Sequence, residues 1–182
     1  NNYFTIGNPI TKTLSLYVAA YEYLQIKEYH LINYKFIIFF YNSNFRALIR
    51  HIGDYAKVGI HGSYFSSDDA DKMDVERRRL TDILCRTIVR NRFHFLRFSL
   101  PQSFRNLERI GIRHDYSMGY ADVPGFRNGT CSIVPIFDIS QNQELDVRLH
   151  PFVAMDTTFH THMGVSPEDA IRQYHQLIDN VF

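Results

Sequence analysis

The chain has 182 residues, of which 45% are hydrophobic and 21% charged, with a formal net charge of +1. That length fits one domain able to bury a core. The near-neutral balance excludes a global field for nucleic acid or an anionic membrane, and no apolar run approaches the roughly 20 residues that span a bilayer.

In chain order, residues 3–6 read as a short buried strand stopped by Gly7, Asn8 and Pro9. Residues 13–30 read as a helix, with Leu14, Val18, Tyr21 and Leu24 near helical spacing. Residues 34–41 are continuously apolar, as a strand covered on both faces should be. Asn44 is a candidate cap for a helix through Tyr55, with Phe45, Leu48, Ile49 and Ile52 on one face. Residues 57–61 form the next expected strand. Ser66, Ser67, Asp68 and Asp69 start a helix that carries Arg77, Arg78 and Arg79 late. This order complements the macrodipole and marks the arginines as a solvated helix end rather than a nucleic-acid patch.

Residues 92–98 read as a strand. Pro101 opens a helix through Ile110, which Gly111 ends. Residues 115–130 form a long segment with Gly119, Pro124, Gly125 and Gly129, and loops of that length are often functional. Residues 132–137 and 146–153 are two further expected strands. Ser166, Pro167 and Glu168 then cap a last helix to Phe182. The alternation implies parallel strands with right-handed crossovers in a single α/β domain over residues 1–182.

Aromatic residues make up 15%, all Tyr and Phe, which suits a Tyr/Phe-rich core, with exposed Tyr in a sugar-binding cleft as the alternative. Cys85 and Cys131 read as two free thiols in a reducing compartment, so a cytoplasmic location is expected. No signal peptide is visible, although the chain begins at Asn1.

Several strand ends carry ionisable groups, as the strands of a β/α barrel do at the mouth of a shared site. His61 ends the strand at 57–61, where an imidazole can hold a divalent metal or bond a loop carbonyl. Arg97, flanked by Leu96 and Phe98, would be a buried guanidinium that needs a carboxylate partner. His94, three residues earlier on the same strand, would face the opposite way. His150 ends the strand at 146–149, with Asp156 six residues on, and is a candidate for acid/base chemistry. Asp115, Asp122 and Arg127, interspersed with Gly and with Tyr120, are candidates to support Arg97 or bind substrate. His160 and His162 fall in a polar loop and read as incidental surface.

These pieces carry a resemblance. Residues 58–64 (Val-Gly-Ile-His-Gly-Ser-Tyr), 92–98 (Arg-Phe-His-Phe-Leu-Arg-Phe), 115–122 (Asp-Tyr-Ser-Met-Gly-Tyr-Ala-Asp), 125–130 and 149–152, with Met155 and Asp156, resemble the polysaccharide deacetylases of carbohydrate esterase family four, within a bacterial branch of deacetylase-like proteins. The resemblance implies a distorted β/α barrel and a hydrolase that removes N-acetyl groups from a sugar polymer or glycoconjugate. It implies a divalent metal such as zinc, held by an Asp and two His. His61 matches the first metal histidine, and Arg97 matches the arginine that orients a catalytic aspartate. Phe65 stands where the second metal histidine belongs, residues 4–9 lack the family's Asp motif, and the late His-bearing strand is missing. His150 sits one strand early for that role. An incomplete barrel with weak or no metal binding is therefore expected, with omitted segments favoured over degeneration. The alternative is a non-catalytic carbohydrate-binding or scaffold protein that keeps the barrel.

Overall fold

The computed structural model of the chain describes residues 42–181. The strands expected at 3–6 and 34–41, the helix at 13–30 and the motif around Gly7 lie outside those residues. The chain divides into two compact units. The first comprises, among described residues, 42–61 and 75–88; the second comprises 62–74 and 89–181.

In the first unit, α1 spans Ser43–Tyr55. Its cap is Asn42 rather than Asn44, because the Asn42 Oδ1 accepts from the backbone N–H groups of both Asn44 and Phe45 at 3.0 Å. Those are two of the orphan donors every helix start must satisfy. Gly53 is the buried residue of α1. A Cβ there would come within 2.6 Å of Leu84 Cδ2, so the backbone of α1 passes closely over the end of α2 (Ala70–Leu84). Leu48, expected on the buried face, is half exposed. Arg50 Nε donates to the Ile83 carbonyl and Arg86 Nη1 to the Gly53 carbonyl, tying the two helix ends together. The strand expected at 57–61 shrinks to one bridging residue, the buried Ile60.

The second unit is mixed α/β around a four-stranded sheet. The strands are β1 (Arg90–Asn91), β2 (His114–Asp115), β3 (Val134–Asp138) and β4 (Gln143–Leu149), in the order β1-β2-β4-β3. β1, β2 and β4 are parallel, but β3 runs antiparallel to β4. The all-parallel expectation fails at this hairpin. Its turn carries no Asn-Gly or Asp-Gly signal. Asp138 makes it instead, its Oδ1 accepting from Ser140 N, Ser140 Oγ and Gln141 N, and Asn142 takes the left-handed conformation at φ 51°. β4 buries Leu145, Val147 and Leu149 and exposes the residues between them, the period-2 pattern of a strand with one covered face.

The segment 92–98 is not a strand. The chain leaves β1 after Asn91 and makes a 3-10 turn, His94–Leu96, in which Phe95 and Leu96 are left-handed (φ 53° and 52°). Its run of aromatic and apolar residues imitates a buried strand, and nothing in the residue types announces two consecutive left-handed positions. The helix expected after Pro101 is present as α3 (Gln102–Arg109), and Gly111 (φ 81°) ends it in the conformation glycine adopts without strain. α3 lies on β4 and buries Ser103, Phe104 and Leu107. α2 begins at Ala70 rather than Ser66: Asp69 Oδ1 caps Asp71 N and Lys72 N, while the Ser66 hydroxyl donates to the Ser63 carbonyl. α4 spans Pro167–Asp179, capped by Ser166 as expected. No described helix is long and apolar enough to cross a membrane. Cys85 and Cys131 are free and exposed.

Asp138 also pairs with Arg105 of α3, and joins the hairpin to the helix. Its carboxylate has no exposed side-chain surface, and the Arg105 hydrogen bond holds it well below the usual carboxylate range. A depressed acid contributes stability above its unfolded pKa and loses it as pH falls through the folded one. Asp138→Asn should therefore lower the melting temperature at pH 7, and the gap from wild type should narrow as pH falls below about 4. Thermal melts of both proteins at pH 7 and pH 3 check this.

Candidate functional site at the parallel strand ends

β1, β2 and β4 end side by side, with Asn91 paired to Asp115 and Asp115 to Leu149. Ligands in open α/β sheets sit outside such carboxyl ends. Alternation along the strands divides the side chains there between the two faces. Asn91, Asp115 and Leu149 share the buried face. His114 and Arg148 point the other way, and His150, one step beyond β4, joins them.

On the buried face Asp115 is fully enclosed. One oxygen accepts from Ser117 N at 2.9 Å; the other accepts from Asn91 Nδ2 at 2.7 Å and Ser117 Oγ at 3.0 Å. Ser117 Oγ in turn accepts from Phe93 N. Burial pushes the Asp115 carboxyl up to about 6, against those hydrogen bonds and the nearby Arg92 charge. Asn91 Oδ1 is buried and makes no hydrogen bond. Arg92 is itself pulled down by burial and held up by Asp115 and Asp156. Its guanidinium donates to the Tyr116 carbonyl and lies 4.3 Å over the Phe152 ring.

On the other face His114 Nδ1 and His150 Nε2 are 2.9 Å apart, so one donates and the other accepts. Tyr116 stacks on His150 at 4.4 Å. Both histidines are half-buried. A hydrogen-bonded imidazole pair open to solvent can pass a proton from ring to ring; the enclosed carboxyl of Asp115 serves to fix the strand ends in register.

The remaining expected site residues are dispersed. Arg97 is not a buried strand residue: it is part-exposed, ion-paired with Asp68, and lies 4.9 Å over the Tyr64 ring. The strand alternation that set His94 against Arg97 therefore does not apply. His94 is buried in the 3-10 turn, which lowers its pKa by desolvation. Tyr120, Asp122 and Arg127 are exposed, Arg127 lying 5.0 Å over the Phe98 ring. His61 follows Ile60 in the first unit and is half-buried. Among the described residues no three His, Cys, Asp or Glu side chains converge on a metal position. The residues that sequence reasoning passed over are Asn91, Arg92, His114, Tyr116 and Ser117. The Asp115-x-Ser117 spacing, which permits a side-chain-to-backbone turn, was the available signal.

Gly119 is part of this assembly. A Cβ there would fall 2.3 Å from Phe152 Cζ, under the ring that carries Arg92. Gly119→Ala should cost about 1–3 kcal/mol by overpacking. Adding Phe152→Leu should recover much of that loss, as urea unfolding of the single and double variants would reveal.

The chain matches no protein-family model and no curated protein.

Proposed function

We propose that the chain is a carbohydrate-directed hydrolase of the polysaccharide deacetylase type, built on a β/α-barrel-related domain and working in the cytoplasm. The observation that supports this reading is the hydrogen-bonded His114–His150 pair at the ends of parallel strands, on the face opposite the enclosed Asp115. Hydrolysis of an N-acetyl amide adds water at the carbonyl carbon, breaks the C–N bond and places a proton on the departing nitrogen. His150 is the group proposed to supply that proton, with His114 replenishing it across their hydrogen bond. The divalent metal remains a proposal resting on the resemblance, with His61 as its named ligand. Two free cysteines support a reducing compartment.

The second reading, a non-catalytic carbohydrate-binding protein, is favoured by Arg97. The guanidinium assigned to orient a catalytic acid is occupied by Asp68 and Tyr64. Acetate release from an N-acetylglucosamine oligomer, with and without added zinc, separates the two. The hydrolase reading expects release that falls about 100-fold or more in His150→Ala. No release at any zinc concentration would leave the binding protein.

A further inference from the structure

The three parallel strands set one rung of basic side chains on the face opposite Asp115. Register aligns Arg90 of β1 with His114 of β2, and His114 with Arg148 of β4. Residues in register across parallel strands point to the same side of a sheet. Neighbouring strands lie about 4.8 Å apart, so the backbones of the two arginines are about 10 Å apart with His114 between them. Two arginine side chains can close on one small ligand across that span. His150, hydrogen-bonded to His114 at 2.9 Å, and Tyr116, stacked on His150, border the rung.

The rung itself holds no acid. Like charges on adjacent strands repel, and the described residues offer little to offset them. Arg90 is half-buried, and its Nε is enclosed without a hydrogen-bond partner. Among the described residues no carboxylate pairs with its guanidinium. A donor taken from water and left unmatched carries a cost that a ligand can repay. Arg148 is 48% exposed and reaches Glu144 only at 3.9 Å, the outer limit of an ion pair. The other exposed acid of β4, Asp146, is held by Arg113 at 3.1 Å. One guanidinium fork satisfies a carboxylate, whereas two forks suit a group with three acceptor oxygens and two charges. A nucleic acid needs cations spread along several phosphates, and here they form a single rung with Glu144 and Asp146 nearby.

We propose that Arg90 and Arg148 clamp a phosphate group over His114. The proposal goes beyond the hydrolase reading and does not depend on it, since its readout is binding and not turnover. The probes are inorganic phosphate, methyl phosphate and acetate, titrated by calorimetry at low salt. Phosphate should bind wild type more tightly than acetate. Binding of inorganic phosphate alone supports the clamp as a site for the free ion; binding of methyl phosphate as well supports it as a site for phosphate carried on a larger molecule. Arg90→Gln and Arg148→Gln should each weaken phosphate binding about tenfold. Arg113→Gln removes a cation already paired with Asp146 and should change it by about twofold at most. Arg148→Gln alters an exposed side chain and should melt near wild type, so its lost affinity reads the contact and not the fold.

Failure of wild type to bind phosphate at millimolar concentration overturns the clamp. So does acetate binding as tight as phosphate binding, or an equal loss in Arg113→Gln, which would mark a diffuse field. Phosphate binding without acetate release from an N-acetylglucosamine oligomer keeps the clamp and sinks the hydrolase. Acetate release without phosphate binding does the reverse.

Discussion

Replacing Asp115 by asparagine should flatten the pH dependence of stability between pH 4 and pH 6.5. The carboxyl is raised to about 6 by burial, from an ordinary value of 3.8. Below both values it is neutral whether the chain is folded or not, and its titration leaves stability unchanged. Between them the folded state holds the extra proton, so stability falls as pH rises, and the loss is complete above the folded pKa. Two pKa units correspond to about 3 kcal/mol. Asparagine stays neutral throughout and avoids that cost. Its amide does meet two donors, Asn91 Nδ2 and Ser117 Oγ–H, where the carboxylate oxygen accepted both. Asn91 can answer by flipping, because its Oδ1 has no partner now and would then accept from the new amide. Any residual hydrogen-bond mismatch does not depend on pH. Urea unfolding at pH 4 and pH 7 thus isolates the titration: the Asn variant should gain about 2–3 kcal/mol relative to wild type between those two values. Parallel profiles would mean that Asp115 is ionised at little cost, through Arg92. Asp138 acts with the opposite sign at lower pH, so wild-type stability should peak at mildly acidic pH.

The pieces legible in the sequence are those where a local rule had a single reading. Pro101 before α3, Gly111 after it and Ser166-Pro167 before α4 each do one job that few residues can do. The alternation through Leu145, Val147 and Leu149 likewise admits only a strand with one covered face. Asp115 and His150 both stand at the ends of parallel strands, but only His150 was legible there; Asp115 read as the start of the long loop segment 115–130, and β2 was not expected. Their separation onto two faces was not legible either, because it depends on the register between β2 and β4. The segment 92–98 failed for a different reason. Phe93, Phe95, Leu96 and Phe98 look alike as apolar residues, but Phe93 is buried while Phe95 faces water on a left-handed backbone. A hydrophobic pattern reports average burial, and a strained turn is where that average breaks down. The antiparallel β3 was hidden because Asp138, Ser140 and Asn142 form a turn through side-chain geometry rather than through a glycine.

Phe104→Ala should be the most destabilising single truncation in the second unit. The ring is completely buried on α3 and meets Phe93 at 5.9 Å and Phe98 at 5.2 Å, both edge to face. These three rings anchor the turn that follows β1: Phe93 enters it, Phe98 leaves it, and the left-handed pair lies between. Removing a buried phenyl group costs its transfer energy and leaves a cavity, about 3–5 kcal/mol together. For a chain of this length that is a drop of roughly 10 °C in melting temperature. Phe104→Leu keeps most of the volume and should lose clearly less. The consequence reaches the surface, because Arg127 rests on the Phe98 ring. With Phe104 gone, Phe98 can sink toward the cavity, drawing away the support beneath Arg127 and loosening the turn that holds Phe95 out. Amide hydrogen exchange should therefore accelerate at Leu96 and Arg97, whose N–H groups close that turn, more than at Val147 in the centre of β4. Uniform acceleration across both would show that Phe104 supports the whole sheet rather than the turn.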